Sequence, residues 1–407
     1  MKYIVILGDG MADEGLSQLE GKTPLQQAAT PCMDALASMG ELGLAKTVPD
    51  TMKPGSDVAN LAVLGYDPLR NYSGRSPLEA LSVGVDMQPT DVVMRCNLVT
   101  LTEEEVFAEK RILDHSSGEI STADADILMD AVREAFNSEQ FRFHTGTSYR
   151  HICQWNKGEV LEFSQPHDHL GEVIGPYLPK AQVFRDIMER SYTILNEHPL
   201  NLQRAAEGKN KANALWFWGA GTKPSLQSFA EKFGMKGAMI SAVDLLKGIA
   251  VGTGMGVIEV PGATGSLDTN YEGKASAAVK AVLEDGYDFV YIHVEAPDEM
   301  GHQGSIDHKI RSIEYLDSRI VGPVVREMDA SGEDYRLLIL PDHPTPIRCR
   351  THTSDPVPYI LFDSTDKKQT GACYSEESAA ATGIYESAGY RLMEKFLRIG
   401  GREYACV

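Results

Sequence analysis

Short apolar runs alternate with longer helical segments along this 407-residue chain, and that alternation restricts the fold to one class. Tyr3–Leu7 is a β-branched run that stops at a glycine-rich turn, and Thr30-Pro31 then starts a helix that Gly40 ends. Further strands are predicted at Ala214–Trp218, Ala238–Ser241, Phe289–Val294, Leu337–Leu340 and Pro358–Phe362. Further helices are predicted at Ala275–Leu283 and at Lys309–Met328, the second kinked at Gly322-Pro323. This order predicts an α/β core built on a parallel sheet.

The segment from 91 to 205 departs from that alternation. It holds a predicted strand at Asn97–Leu101, a helix at Ala123–Phe136 and a stretch rich in proline and histidine at Pro166–Leu170. No low-complexity linker borders it. We therefore expect a core domain formed by 1–90 and 206–407, with 91–205 inserted as a smaller α+β domain.

Composition excludes several classes of partner. The formal net charge of −20 disfavours binding to nucleic acid or to an anionic membrane, and no stretch of about 18 apolar residues is present. A cytoplasmic location is expected, with the six scattered cysteines as reduced thiols (Cys32, Cys96, Cys153, Cys349, Cys373 and Cys406). The same charge would repel a phosphorylated substrate, so phosphate chemistry would need local cations.

Side chains able to bind metals follow three of the predicted strands. Asp9 comes after the first strand, and Asp342-His343 follows Leu337–Leu340 directly. Asp298 and His302 follow Phe289–Val294 at a spacing that places both on one face of a helical turn. His352 follows Asp342-His343 by one loop. Because the carboxyl ends of parallel strands share one edge of a sheet, we expect these residues to converge there.

The expected ligands are nitrogen and oxygen atoms without a thiolate, a set that favours Mn²⁺ or Zn²⁺. Six such residues are too many for one tetrahedral ion and suit two. A pair of ions about 3.5–4 Å apart stabilises the attacking and the leaving oxygen during displacement at phosphorus. The sequence therefore predicts a centre with two divalent ions.

Ser56 is the candidate nucleophile. It lies in Pro54-Gly55-Ser56-Asp57, immediately before the apolar helical run Val58–Leu64. A helix N-terminus favours a phosphate through its dipole and its free N–H groups. The alternative is that Ser56 is only the N-cap of this helix.

Several motifs together resemble the archaeal-type branch of the cofactor-independent phosphoglycerate mutases, which belong to the alkaline phosphatase superfamily. They are Gly-Asp-Gly at 8–10, Pro-Gly-Ser-Asp-Val-Ala-Asn at 54–60, Arg-Cys-Asn-Leu at 95–98, Pro-Gly-Ala-Thr-Gly-Ser-Leu-Asp-Thr-Asn-Tyr-Glu-Gly-Lys at 261–274, Pro-Asp-Glu-Met-Gly-His at 297–302, Pro-Asp-His-Pro-Thr-Pro at 341–346 and Thr-His-Thr at 351–353. The resemblance covers essentially the whole chain. It implies an alkaline-phosphatase-like parallel-sheet core with a smaller inserted α+β lid domain.

The resemblance also implies roles for individual residues. Asp9, Ser56, Asp342 and His343 would share one metal ion, and Asp298, His302 and His352 would hold the other. Ser56 would take the phosphoryl group from one phosphoglycerate and return it to the other hydroxyl of the retained glycerate, without added bisphosphoglycerate. Lys247 looks like the lysine that contacts the phosphoryl group in this family, and its alternative is a solvated helix lysine.

The inserted segment departs from the family. Relatives usually carry Asp-Arg-Arg-Ala-Gly-Arg where this chain has Asp114–Glu119, and Trp218 stands where an arginine is often found. Candidate substrate contacts there are Arg150 and His151, together with His167, Asp168 and His169.

Other functions stay open at the sequence level. A phosphotransferase of amino-acid metabolism such as a homoserine kinase, a metal-dependent phosphatase or phosphodiesterase, and a metal-stabilised binding protein are the alternatives. No GxxxxGK[ST] motif supports a nucleotide site, and the glycine-rich run 252–256 lacks the lysine that would follow. The expected partner is a small phosphorylated metabolite, and assembly into a homo-oligomer is left open.

Overall fold

The structure is a computed structural model, and it describes residues 1–398. The β-strands are β1 (Lys2–Gly8), β2 (Glu41–Ala45), β3 (Val92–Leu101), β4 (Ile112–Asp114), β5 (Phe141–His144), β6 (Arg150–Trp155), β7 (Ala214–Thr222), β8 (Gly237–Ile240), β9 (Gly256–Val257), β10 (Phe289–Val294), β11 (Tyr335–Leu340), β12 (Val357–Asp363) and β13 (Tyr385–Glu386).

The α-helices are α1 (Pro24–Gln27), α2 (Pro31–Met39), α3 (Ser56–Val63), α4 (Pro68–Asn71), α5 (Arg75–Ser82), α6 (Thr122–Phe136), α7 (Gln182–Asn196), α8 (Pro199–Ala206), α9 (Phe229–Phe233), α10 (Asp244–Gly252), α11 (Tyr271–Leu283), α12 (Ala296–Gln303), α13 (Ile306–Leu316), α14 (Gly322–Ser331), α15 (Glu376–Ala381) and α16 (Leu392–Leu397).

The chain divides into two compact units, one formed by 1–72 with the chain from Ser225 onward and the other by Ser73–Pro224. The second unit is wider than 91–205 at both ends, because α5 and the whole of β7 belong to it. Strand β7 pairs antiparallel with β3, so the prediction that Ala214–Trp218 joins the parallel core sheet was wrong. An apolar run shows that a strand forms, but not which sheet it joins.

The first unit is built on an eight-stranded sheet in the order β13-β2-β12-β11-β1-β10-β8-β9. Strand β1 lies at its centre, parallel to β10 on one side and to β11 on the other. Strand β12 runs antiparallel to β11, which corrects the expectation of a parallel strand at Pro358–Phe362. The α/β class with a mainly parallel sheet is confirmed, and strands that are apolar along their whole length fit a sheet covered on both faces.

The second unit carries its own sheet, β4-β3-β6-β5, with β7 on the other side of β3. A separate apolar core lies on one face and includes Phe184 and Phe217, whose rings are 5.1 Å apart. The unit therefore has the means to fold around its own interior.

Two predicted helices differ in detail. Thr30 precedes α2 but its side chain makes no capping hydrogen bond. The predicted helix Lys309–Met328 is α13 and α14 joined by a π-helical turn, Asp317–Val321, in which the Gly322 N–H donates to the Asp317 carbonyl. Pro323 has no N–H to continue the regular ladder, so the irregularity lies beside it as expected.

In the part of the chain that the structure describes, no helix combines the length and the apolarity needed to cross a membrane. The five cysteines in that part are free thiols, and Cys406 lies outside the described residues.

Lys309 on α13 forms a buried ion pair with the loop after β1 and a hydrogen bond with the loop after β11. The Lys309 ammonium, which has no solvent exposure, lies 2.8 Å from a carboxylate oxygen of Asp13. It also donates to the carbonyls of Ala12 at 3.2 Å and Thr345 at 2.8 Å. All three acceptors flank the strand ends that carry the candidate ligands, so Lys309 fixes the spacing between the two loops.

We predict that Lys309→Met lowers the free energy of unfolding by about 3–5 kcal/mol, because it leaves the Asp13 carboxylate buried without a counterion. Urea unfolding should be followed by circular dichroism, since all three tryptophans lie in the second unit. The double variant Asp13→Asn with Lys309→Met should recover part of the loss. Wild-type stability in the single variant would contradict the role of Lys309 in fixing the two loops.

Candidate metal centre and its surroundings

One group of candidate ligands converges on the imidazole of His343. Its Nε2 atom lies 3.2 Å from Ser56 Oγ, 3.4 Å from Asp342 Oδ2 and 3.6 Å from Asp9 Oδ1. The two carboxylates and the imidazole are buried, and one ion could reach a ligand atom from each. The structure thus brings together the four residues that the family resemblance assigns to one ion.

The second group surrounds Asp298 on α12. His302 Nε2 lies 3.2 Å from Asp298 Oδ2, and His352 Nε2 lies 3.3 Å from Asp298 Oδ1. The two histidine Nε2 atoms are 3.0 Å apart. A carboxylate and two imidazole nitrogens that close together are a ligand set for a divalent ion.

His343 also lies near this second group. Its ring centroid is 4.0 Å from that of His352, and Asp298, His343 and His352 can present ligand atoms to one ion. The two groups are therefore neighbours, as a two-ion centre requires.

Two further observations indicate that the first group of residues suits a bound cation. Asp9 Oδ1 is buried and accepts no hydrogen bond from any group within residues 1–398. Burial, with the nearby charge of Asp342, raises the pKa of the Asp9 carboxyl well above its usual value. A buried carboxylate oxygen without a donor is costly unless a cation binds it.

In the second group, the pKa of the carboxylate is shifted in the opposite direction. Burial alone would raise the pKa of Asp298, but hydrogen bonds from His302 and His352 outweigh it and hold that pKa well below its usual value. In turn, the Asp298 carboxylate raises the pKa of His302 to about 9. The His302 Nδ1 atom lies 2.9 Å from the Arg350 carbonyl, an acceptor that directs the other ring nitrogen toward Asp298.

Gly10 makes the close approach of these loops sterically feasible. It has φ +60°, and a Cβ there would lie 2.6 Å from Asp298 Oδ1. Its N–H donates to Asp342 Oδ1 at 3.1 Å. Only glycine combines this backbone conformation with that clearance.

Ser56 is the first residue of α3, and Gly55 precedes it as the N-cap. The alternative role of Ser56 as N-cap is therefore not observed. Its half-buried hydroxyl faces His343 instead, at the positive end of the helix dipole.

Lys247 lies in the first half of α10 and forms an ion pair with Glu259. Its Nζ is 2.8 Å and 2.9 Å from the two carboxylate oxygens of Glu259. The ammonium is mostly shielded, whereas the Glu259 side chain is 69% exposed. Lys247 is thus not simply solvated, and its partner is an exposed surface carboxylate.

The candidate substrate contacts lie in the second unit, where Arg150 and His115 both lie against the ring of Tyr149. The guanidinium of Arg150 lies over the Tyr149 ring at 4.9 Å, and the His115 ring lies 5.8 Å from it. His167 is 6.0 Å from His115 and 5.5 Å from Trp218. Arg150 and His167 are therefore linked through the rings of Tyr149 and His115.

Arg95 is adjacent but already engaged. Its guanidinium lies over Trp218 at 4.9 Å and donates to Glu79 at 2.9 Å from Nε. Burial would raise the pKa of Glu79, but the charges of Arg95 and Arg75 outweigh it and lower that pKa. Glu79 therefore stays ionised and keeps Arg95 paired.

The remaining candidates are arranged differently. His151 is completely buried, with Nδ1 accepting from the Gly146 N–H at 3.2 Å, so no solute reaches its ring. His169 stacks on Tyr177 at 3.6 Å. Asp168 is exposed beside His167, with 3.8 Å between the charged atoms.

The segment Asp114–Glu119 forms a loop organised around the Asp114 carboxylate. Asp114 accepts from the Ser116 N–H at 2.8 Å, from Gly118 N–H at 2.5 Å and from Asn210 Nδ2 at 2.8 Å. Its carboxylate is thus committed to the loop, and His115 is the member that faces Tyr149 and His167.

Four supporting residues were missed by sequence reasoning. Thr345 donates to Asp298, and His293 Nε2 lies 2.9 Å from Asp9 Oδ2. Asn60 and Tyr291 form a buried chain of hydrogen bonds to Asp342. A signal for two of them existed, since Tyr291 and His293 are polar positions two apart in an otherwise apolar strand.

Comparison with known proteins gives consistent results. A family model described as 2,3-bisphosphoglycerate-independent phosphoglycerate mutase matches residues 37–201. A probable 2,3-bisphosphoglycerate-independent phosphoglycerate mutase of Geobacter sulfurreducens is 49% identical over 402 residues, covering 98% of this chain and 100% of that one. The 2,3-bisphosphoglycerate-independent phosphoglycerate mutase of Methanosarcina mazei is 50% identical over 385 residues, covering 93% and 95%.

Solved structures agree with these sequence matches. A protein of Pyrococcus horikoshii superposes with a TM-score of 0.82 at 29% identity, covering 99% of both chains. The cofactor-independent phosphoglycerate mutase of Thermoplasma acidophilum superposes with a TM-score of 0.67 at 27% identity, covering 98% of this chain and all of that one.

Proposed function

This chain belongs to the 2,3-bisphosphoglycerate-independent phosphoglycerate mutase family, and from that membership we propose that it interconverts 2-phosphoglycerate and 3-phosphoglycerate through a phosphoserine at Ser56. The observation that carries the proposal is the Ser56 hydroxyl at a helix N-terminus, 3.2 Å from an imidazole nitrogen that two buried carboxylates also approach. That arrangement joins a nucleophile to a cation-binding centre.

The proposed reaction has two balanced steps. In the first, Ser56 Oγ loses its proton and bonds to phosphorus, while the bond between phosphorus and the substrate oxygen breaks. The released glycerate oxygen takes up a proton and becomes a hydroxyl. In the second, the oxygen of the other glycerate hydroxyl bonds to phosphorus and loses its proton, the bond between phosphorus and Ser56 Oγ breaks, and Oγ regains a proton. No water is consumed, so water must be kept from the phosphoserine between the steps.

Two divalent ions, Mn²⁺ or Zn²⁺, would be held by Asp9, Ser56, Asp342 and His343 and by Asp298, His302 and His352. When bound, they would lower the pKa of the Ser56 hydroxyl and offset charge on the transferred group. The residues themselves provide the N-terminal N–H groups of α3 for the phosphoryl oxygens.

Further contacts are proposed for the substrate. Lys247 would exchange its exposed partner Glu259 for a phosphoryl oxygen. In the second unit, Arg150 and His167, with His115, would meet the carboxylate of glycerate, with the unit acting as a lid in the cytoplasmic enzyme. His151 is buried and is not included.

Two observations favour the mutase over a homoserine kinase. Asp114, a carboxylate that could have met an ammonium group, is engaged by the N–H groups of Ser116 and Gly118 and by the side chain of Asn210. The glycine run 252–256 leads from the end of α10 into β9, whereas a phosphate-binding loop leads from a strand into the start of a helix. The kinase would therefore lack both its substrate contact and its nucleotide loop.

We predict Mn²⁺-dependent interconversion of the two phosphoglycerates without bisphosphoglycerate, measured beside ATP plus homoserine. Ser56→Ala should lower kcat on the order of 10⁶-fold, because the group that accepts the phosphoryl is lost. Ser331→Ala is the matched control, because it removes a hydroxyl that donates to the Met328 carbonyl and accepts from the Glu333 N–H at the end of α14. Turnover with ATP and homoserine alone would overturn the proposal.

We predict that Mn²⁺ titration followed by electron paramagnetic resonance finds two bound ions. Asp9→Ala and Asp298→Ala should each remove one ion, and His343→Ala should weaken both because it borders both groups. His169→Ala is the control, because His169 stacks on Tyr177 and belongs to neither ligand group, and this variant should keep both ions. Two ions retained in Asp298→Ala would refute the assignment.

We predict that Lys247→Met lowers kcat/KM by about 10²–10³-fold, as loss of a charged donor to a transition state does. Glu259→Gln removes the same ion pair from its other side and should leave kcat/KM near the wild-type value. Steady-state kinetics of both variants decide between the roles. Equal effects in the two would show that Lys247 serves only the ion pair.

A further inference from the structure

Asn60 is buried between the nucleophile and a candidate metal ligand. Its side-chain Nδ2 donates to the Ser56 carbonyl and to Asp342 Oδ2, each at 2.8 Å. Its Oδ1 accepts from the Tyr291 hydroxyl at 2.6 Å. All three contacts lie within the first unit, and the Asn60 side chain is fully buried.

The chemistry of these partners fixes which way the amide faces. A carbonyl and an ionised carboxylate can only accept, so both require an N–H, and the carboxamide offers two on one nitrogen. The remaining oxygen must then face a donor. Burial raises the pKa of Tyr291 well above its usual value, which keeps its hydroxyl protonated and able to donate.

The start of α3 depends on this amide. Gly55 offers no side chain to cap the helix. The first turn, which carries Ser56, is held by the Asn60 contact to the Ser56 carbonyl and by the Tyr72 hydroxyl on Asp57 at 2.7 Å. Without a cap, the position of Ser56 relative to Asp342 depends on Asn60, which contacts both.

Strand β10 supplies the foundation. Tyr291 and His293 are two residues apart and so lie on one face of the sheet. One reaches Asp342 through Asn60, and the other contacts Asp9 Oδ2 at 2.9 Å. Ser241 Oγ, which accepts from the Val243 N–H, is 3.2 Å from His293 Nδ1 and can donate to it, leaving the Nε2 proton for Asp9.

We infer that Asn60 is a positioning residue that sets the distance between the Ser56 nucleophile and the Asp342 ligand. Tyr291 holds Asn60 in place. The inference rests on the proposed function, in which Ser56 carries the phosphoryl group. Asn60 contacts neither the substrate nor the reacting atoms.

The test is a double-variant cycle on the full-length protein. Asn60→Leu keeps the volume and removes every hydrogen bond, and Tyr291→Phe removes only the hydroxyl. Each should lower kcat with little change in KM, and each should weaken Mn²⁺ binding, by about 10–100-fold for Asn60→Leu and less for Tyr291→Phe. In the Asn60→Leu background, adding Tyr291→Phe should change either quantity less than about twofold, because its partner is gone.

Tyr335→Phe is the matched control. Tyr335 is a buried tyrosine on strand β11, and its hydroxyl donates to Asp329 at 2.8 Å. It should lose stability by circular dichroism but keep kcat and Mn²⁺ affinity. Should Asn60→Leu not fold, Tyr291→Phe against Tyr335→Phe carries the comparison.

The outcomes separate the two proposals. If the wild-type protein shows no mutase activity, the proposed function fails, while Mn²⁺ affinity still tests Asn60. Equal effects of Tyr291→Phe with and without Asn60, or wild-type kcat and Mn²⁺ affinity in Tyr291→Phe or Asn60→Leu, would overturn the inference.

Discussion

The crowding of three carboxylates in a buried space is the constraint on which the rest of the first unit depends. Asp9, Asp298 and Asp342 follow β1, β10 and β11, the three central strands of the sheet, and converge because parallel strands end at one edge. Like charges that close and that buried oppose ionisation, which the raised pKa of Asp9 reflects. The imidazoles of His302 and His352 hydrogen-bond to the Asp298 carboxylate and stabilise its charge. Asp9 has an oxygen without a donor among the described residues, so a cation bound there would relieve the crowding.

The same constraint explains why so much of the supporting structure consists of donors. Lys309 binds carbonyls of both loops, Gly10 donates to Asp342, and Asn60 donates to the same carboxylate from the nucleophile helix. Each of these groups satisfies a carboxylate or carbonyl lone pair that would otherwise repel its neighbours. The supports also restrict motion, because every one of them spans two segments of the chain. Under the proposed function, in which the Ser56 hydroxyl must be held in line with phosphorus, that rigidity would be required.

Residues that come directly after a strand were predictable from the sequence, whereas for residues inside a strand the sequence shows at most a polar position and not its partner. Asp9 and Asp342 were predictable because a polar residue immediately behind an apolar run marks a strand end. The family resemblance and the α/β class are confirmed. Both could be predicted because motifs at strand ends are short and local in the sequence. Tyr291 was not found, because an internal strand position shows its partner only after folding. Arg150 and His151 were paired as contacts although they are successive strand residues, and the alternation of a strand sends only one to each face. Sheet membership was also beyond the pattern, as the strand at 214–222 showed.

The metal centre alone does not decide between a mutase and a phosphatase. Both would begin with attack of Ser56 on phosphorus, and they differ in whether glycerate or water receives the phosphoryl group next. Retention of glycerate requires contacts to its carboxylate that the first unit does not need for the chemistry itself. Arg95 is paired with Glu79, so the arginine proposed to meet that carboxylate is Arg150, whose guanidinium lies over the Tyr149 ring. The difference between the two reactions therefore lies in the contacts to glycerate proposed for Arg150, His115 and His167, and not in the residues around Ser56.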